Sequence, residues 1–297
     1  MAAETNVAGD DRIGGFRFVR TVHPGATSVV MEVVQESTGK RFALKQLNAS
    51  RAEESSERKL FEFEARLGME LRHPNLVRVH EYFKDPAGPY FIMDLFQSYH
   101  LKLPIARPSV YPMPITQLHR ILKQAGSALA YMHDKGWVHR DVKPENVLVN
   151  KSGEVRLIDY ALAMKPYSGL KKLFKKTAPR QGTPSYMAPE QIRALPPMPA
   201  ADIYSFGITC YEIACSRPPF RADSQTALLN KHIRERANPL SIYNKEVTSE
   251  FNDLIMKMIE KKPADRIVSM HEFLSRFAKI RIYKTDPDPM AERAMGM

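Results

Sequence analysis

A proline-rich break at residues 97–114, with Pro104, Pro108, Pro112 and Pro114, divides the chain into two stretches of different periodicity. Proline fixes φ and removes a backbone donor, so this stretch cannot be one regular helix. Before the break, residues 16–21, 29–35, 41–47, 77–83 and 90–95 alternate or run apolar with β-branched side chains, and Ser37-Thr38-Gly39-Lys40 reads as a turn. Their simplest assembly is a small antiparallel sheet. One helix interrupts them: Leu60, Phe61, Phe63, Leu67 and Leu71 recur at helical spacing over 53–71, before Pro74. After the break, 116–133, 202–215, 249–259 and 269–277 are amphipathic or apolar helices, and 147–149 with 155–158 form a hairpin around Lys151-Ser152-Gly153-Glu154. The fold class is α+β, with a sheet-rich part followed by a helical one.

With 297 residues, 43% of them hydrophobic, the chain can bury a substantial core. Its two cysteines, Cys210 and Cys215, fall in one expected helix, so no disulfide framework is implied and both read as core residues. No apolar run approaches the length of a membrane span, and the start carries Glu4, Asp10 and Asp11 instead of an apolar leader. A soluble cytoplasmic protein is expected. The formal net charge of +11 raises nucleic acid as a partner, but six cations (Lys165, Lys171, Lys172, Lys175, Lys176 and Arg180) fall within sixteen residues. No acid lies between Asp159 and Glu190. The charge therefore belongs first to that segment, which counts against general nucleic-acid binding.

The stretch His139-Arg140-Asp141-Val142-Lys143-Pro144-Glu145-Asn146 resembles the catalytic loop of protein kinases at every position that does chemistry. Phe42-Ala43-Leu44-Lys45 resembles the family's VAIK strand, and Glu64 follows Lys45 by nineteen residues, the spacing of its Lys–Glu ion pair. Asp159-Tyr160-Ala161, eighteen residues after Asp141, takes the place of the DFG motif, and Ala188-Pro189-Glu190 that of APE. The chain is thus identified as a member of the eukaryotic-type serine/threonine protein kinase family from about residue 16 to 282. The resemblance implies a bilobal fold, with a tail at 1–12, an N-lobe at about 13–93, a hinge at 94–97, a C-lobe at 98–283 and a second tail at 284–297.

It also implies ATP in a cleft, held by Val22, Gly25, Val30, Ala43, Lys45, Glu64, Met93, Asp94, Phe96 and Leu148, with Mg²⁺ on Asn146 and Asp159. Asp141 would take the proton of a protein Ser or Thr hydroxyl, and Lys143 would neutralise phosphate charge. Family resemblance pairs Glu190 with Arg266 and Asp202 with the catalytic-loop backbone, and places the Thr183 hydroxyl on Asp141 and Lys143. It makes Arg140 the receiver of a phosphate on the activation segment, with Thr177 the first candidate and Ser168 the second. Leu170 to Lys176 reads as a short basic surface helix.

The pattern departs from the family in two places. Of the glycine-rich loop only Gly25 and Val30 remain, His23 and Ser28 standing in the outer glycine places. A weaker phosphate lid is expected where glycines no longer permit φ > 0 and close backbone approach. Of the apolar stack implied by the resemblance (Gly68, Val79, His139, Tyr160), Gly68 has no side chain to contribute. Either Tyr160 or Met69 fills its place, or a partner, a dimer contact or phosphorylation orders the helix that carries Glu64. These departures favour the alternative reading, a pseudokinase scaffold. The intact Lys45, Glu64, Asp141, Lys143, Asn146 and Asp159 favour the enzyme. The Ala-Pro-Glu and Gly-Thr-Pro-Ser-Tyr segments count against a small-molecule phosphotransferase.

Overall fold

The computed structural model describes residues 12–85, 87–168 and 177–287. They divide into two compact units at Arg72/His73, Leu76/Val77 and Gln97/Ser98. Residues 73–76, expected in the first lobe, group with the second unit, because Asn75 accepts from the Leu157 N–H and donates from its side chain to Gln124 and to the Val155 carbonyl.

In the first unit six strands, β1 (Arg12–Ile13), β2 (Phe16–Pro24), β3 (Ser28–Gln35), β4 (Arg41–Leu47), β5 (Val79–Phe83) and β6 (Tyr90–Met93), form one antiparallel sheet in the order β1-β2-β3-β4-β6-β5. Period-2 alternation gives the sheet two faces. Phe16, Met31, Val33, Leu44, Tyr90 and Ile92 cluster together, while Leu47, Val79 and Phe91 pack with Phe61 and Ala65 of the helix α2 (Ser55–Glu70). A single turn, α1 (Ala49–Ala52), precedes it, and the expected helix over 53–71 corresponds to α2. β1 escaped the sequence reading because two residues carry no periodicity.

The second unit holds a three-stranded sheet, β7 (Tyr99–His100), β8 (Val147–Val149) and β9 (Val155–Leu157), and the helices α3 (Lys102–Ala106), α4 (Leu118–Asp134), α5 (Pro189–Ile192), α6 (Pro199–Cys215), α7 (Gln225–Arg234), α8 (Ser249–Met258) and α9 (Met270–Phe277). The break at 97–114 thus contains one short helix. Its Pro104 sits in the first turn, where a missing N–H costs nothing. Pro199 opens α6, whose residues 201–214 are all buried, Asp202 and Glu212 among them. Gly207 lets α8 approach it closely, since a Cβ there would lie 2.7 Å from Ile259. The helix α7 was missed because its polar sequence buries only Leu229 and His232.

A buried ion pair anchors α5. Arg266 donates to both carboxylate oxygens of Glu190 at 2.7 and 2.9 Å, and also to the Ala200, Glu260 and Lys261 carbonyls, which offsets the cost of desolvation. Both cysteines are free, and Cys210 is buried. Among the described residues no helix is long and apolar enough to cross a membrane.

His232 gives the unit a pH dependence. It is fully buried, its Nδ1 bonds the Tyr204 hydroxyl at 2.9 Å, and Lys261 Nζ donates to its carbonyl at 2.9 Å. Burial first, and the Lys261 charge second, push its pKa from 6.5 down to about 3. Between those values the unfolded chain binds the extra proton, so acidification removes stability, at a slope approaching about 1.4 kcal/mol per pH unit from this group. Urea unfolding at pH 6.5 and 5 is expected to show this loss, and a shallower loss in His232→Gln.

Candidate active site

In the first unit the sheet register sets Lys45 opposite Phe91 and Val30, and the α2 helix presents Glu64 to it. Lys45 Nζ donates to both Glu64 oxygens, at 2.6 and 2.8 Å, and lies 5.7 Å from the Phe91 ring centroid. Both side chains are largely shielded from water, so the pair fixes the ammonium at one place on the sheet. Ala43 is buried opposite Met93, Val30 is half-buried and Val22 is 44% exposed. The Asp94 N–H is already used by the Arg78 carbonyl at 3.0 Å, so Asp94 offers its own carbonyl, and Phe96 is half-buried. A groove of about 380 Å³ on this unit, lined by Phe16, Phe42, Arg78, His80, Ile92 and Asp94 among others, includes only Asp94 of the expected site residues.

The glycine-rich segment forms a short, tight turn. β2 continues through Pro24 and β3 begins at Ser28, with His23 paired to Val30 and Ser28 to Leu47, so the turn shrinks to Gly25–Ala26–Thr27. Bulges after Phe18 and Thr21 keep the strands paired to their ends. Gly25 does not have positive φ. Its requirement is space, since a Cβ would lie 2.6 Å from the Ser28 carbonyl, which its own N–H bonds at 3.0 Å. Sequence reasoning missed Asn48. Its Nδ2 donates to the Gly25 and Ala26 carbonyls at 3.1 and 3.2 Å, and its N–H bonds the Thr27 carbonyl at 2.9 Å, tying the whole turn to the end of β4.

Gly68 is buried in α2, and its neighbour Met69 packs against the cluster formed by Leu47, Phe61, Ala65, Val79 and Phe91. In the second unit His139 and Tyr160 meet edge to face at 6.2 Å, and the Tyr160 hydroxyl donates to the Leu157 carbonyl.

The catalytic-loop residues converge in the second unit. Asp141 Oδ1 accepts from the Thr183 N–H and hydroxyl, both at 2.8 Å, and Oδ2 accepts from Lys143 Nζ at 2.6 Å and Asn146 Nδ2 at 3.3 Å. Lys143 also donates to Thr183 Oγ1 at 2.8 Å. Burial pushes the Asp141 pKa up, but the Lys143 charge and hydrogen bond, with Thr183 and His139, outweigh it and hold the carboxyl below its usual value. Asp202, fully buried, accepts from the His139 and Arg140 N–H groups at 2.7 and 2.8 Å and bonds His133 Nε2 at 2.9 Å. The sequence had not flagged His133.

Asn146 Nδ2 also donates to the Asp141 carbonyl at 2.8 Å, and the Asn146 carbonyl accepts the N–H of Ile158, the residue before Asp159, at 3.1 Å. Asp159 has φ +70, sparsely populated backbone of the kind concentrated at working sites. The amide and carboxylate oxygens of Asn146 and Asp159 suit a hard ion that keeps several waters. Leu148 lies on β8, opposite His100 and Arg156.

Arg140, 4% exposed, donates to the Leu162 carbonyl at 3.2 Å, Met164 Sδ at 2.7 Å and the Pro179 carbonyl at 2.6 Å, two residues beyond the exposed Thr177. Burial lowers its pKa, and Asp202 opposes that shift. Ser168 is exposed, and the expected basic helix from Leu170 to Lys176 lies outside the described residues.

With this arrangement in view, a sequence model of the protein kinase domain matches residues 16–277. The chain belongs to the protein kinase domain family. It is similar to the serine/threonine-protein kinase PknA of Mycobacterium tuberculosis, 30% identical over 281 residues, covering 93% of this chain and 63% of the relative. It is also 28% identical over 264 residues to the probable serine/threonine-protein kinase PknB of Corynebacterium glutamicum, covering 86% of this chain and 40% of that protein. Mouse serine/threonine-protein kinase 33 is 28% identical over 266 residues, covering 86% and 52%. The kinase domain thus spans less than two thirds of the length of each of these relatives.

Asn48 holds the turn through its two side-chain hydrogen bonds. Two neutral hydrogen bonds contribute about 1 kcal/mol each. Asn48→Ala is therefore expected to loosen the turn and lower the melting temperature by several degrees, as thermal unfolding would register.

Proposed function

We propose that the chain is an ATP-dependent serine/threonine protein kinase that transfers the γ-phosphate to Ser or Thr hydroxyls of proteins, its own included. The observation that carries this reading is the Asp141 carboxylate, ionised and held by Thr183, Lys143 and Asn146. Of its four bonds the one from Asn146 to Oδ2, at 3.3 Å, is the longest and the easiest for an incoming hydroxyl to displace. That hydroxyl would give its proton to Asp141 as its oxygen bonds the γ-phosphorus, while the bond from that phosphorus to the β,γ-bridging oxygen breaks and ADP departs. Lys143 would neutralise charge on the transferred group, and Lys45, oriented by Glu64, would hold the α- and β-phosphates. Val22, Val30, Ala43, Met93 and Leu148 would sandwich the adenine, and the backbone of Asp94 and Phe96 would bond it. Mg²⁺, when bound to Asn146 and Asp159, supplies charge neutralisation between the phosphates.

The same reading makes Thr177 a regulatory phosphorylation site. Among the described residues the hydrogen-bond acceptors of the buried Arg140 side chain are neutral, the carbonyl of Pro179 among them, with the Asp202 charge acting on it besides. A phosphate on Thr177 would bring that guanidinium an anion and order the segment. An activating partner or a dimer contact would order α2, in which Gly68 contributes no side chain. We read the protein as cytoplasmic. The pseudokinase alternative gains no support from the catalytic residues, each of which keeps the chemistry the reaction requires.

The test is phosphate incorporation from Mg²⁺-ATP into the purified protein and a basic protein acceptor. Wild type should label both. Asp141→Asn, lacking the base, should fall by about 10²–10⁴-fold. Because the Asp141 pKa is lowered, lowering the pH to 5.5 should leave the wild-type rate free of an inflection from this carboxyl. No labelling by wild type under conditions where ATP raises its melting temperature would favour the scaffold.

A further inference from the structure

Lys102 opens the short helix α3 and reaches α6, far along the chain. Its Nζ donates to Glu212 Oε1 at 2.6 Å and to the Tyr186 hydroxyl at 3.1 Å, and that hydroxyl donates to Glu212 Oε2 at 2.5 Å. The carboxylate is 2% exposed at its side chain and the lysine 30%, so the acid forms the floor of a small polar site and the ammonium its rim. Tyr186 links this site to the reaction centre. Its N–H bonds the carbonyl of Thr183, the residue that grips Asp141. Burial first, then the charges of Glu212, Glu145 and Asp141, push its phenol pKa far up, so all three carboxylates act on this one ring.

Among the described residues the cations paired with them are fewer: Lys143 serves Asp141, Lys102 serves Glu212, and Glu145 Oε2 is buried with no hydrogen-bond partner among those residues. An acidic site beside the base that receives the acceptor hydroxyl is where a basic side chain of a peptide would settle. Here the chain fills half of it from within.

We propose that Lys102 is a specificity-determining residue: an internal cation that occupies the Glu212 carboxylate and so removes preference for a basic side chain flanking the acceptor Ser or Thr. The proposal rests on the protein-kinase reading for its substrate class. A second cation brought to Glu212 meets the Lys102 charge, and the wild-type protein should bind a serine peptide with one arginine and its alanine counterpart about equally. Without Lys102, Glu212 keeps the Tyr186 hydroxyl as its hydrogen-bond partner among the described residues, and an arginine gains a charge-assisted, largely desolvated partner.

The test reads binding without turnover. Fluorescent serine peptides carrying a single arginine at successive positions on either side of the serine, and the all-alanine parent, are titrated against wild type, Lys102→Met and Lys102→Met/Glu212→Gln. Lys102→Met should gain about tenfold for arginine over alanine at one position. Wild type should show a ratio near one throughout, and the double variant should lose the gain. A Lys102→Met ratio equal to that of wild type at every position would overturn the proposal, as would failure of the folded variant to bind any of these peptides. Should Lys102→Met not fold, Glu212→Gln carries the test with the opposite sign: Lys102, released, should favour glutamate over alanine in the peptide, and no such gain overturns the proposal. Loss of phosphate transfer by wild type would sink the kinase reading and leave these binding ratios standing.

Discussion

The buried carboxylate of Asp202 is the constraint on which the catalytic loop depends. Arg140 adopts φ +69, a left-handed conformation that costs a residue with a Cβ about 1–2 kcal/mol. It persists because Asp202 accepts its N–H and that of His139 while His133 holds the same carboxylate from α4. Burial pushes the Asp202 pKa up, but His133, His139 and the Arg140 N–H outweigh that effect and keep it charged. The sharp bend turns Asp141 toward Thr183 and Lys143 and sends the Arg140 side chain the other way, to Leu162 and Pro179. One anion therefore positions both the base and the residue proposed to sense phosphorylation.

The first unit uses a comparable economy. Register alone brings Lys45 to the same face as Phe91, and a helix of sixteen residues supplies Glu64. The departures that favoured a scaffold look different in three dimensions. His23 and Ser28 are strand residues in a tightened hairpin, and Gly25 is retained at the one point where backbone approach excludes a Cβ. Asn48 closes the turn from outside the motif. Side-chain hydrogen bonds from Asn48 thus hold a turn in which two of the family's glycine places are strand residues.

Much of this was legible in the sequence because the relevant contacts follow from motif and spacing. The strand at 41–47, the Lys45–Glu64 separation, the hairpin beside the catalytic loop and the Glu190–Arg266 and Asp202 roles implied by the resemblance all have counterparts in the geometry. What was not legible depends on distant partners. Nothing local in Asn48 says that it caps a turn more than twenty residues earlier, and Lys102 sits in a proline-rich stretch that reads as irregular. Helix α7 hides because only two of its side chains are buried. The extension of β2 through Pro24 was missed because proline signals a break, whereas here its ring needs no partner on the side away from β3.

The central claim is that a buried anion pre-assembles the base for phosphoryl transfer, and the most direct measurement is kcat for Asp202→Ala with ATP affinity determined separately by calorimetry. Misplacement of Asp141 by about an ångström should lower kcat by about a hundredfold, with ATP affinity within about twofold of wild type. A folded variant with unchanged kcat would contradict the account, because the loop geometry would then arise without the carboxylate assigned to hold it.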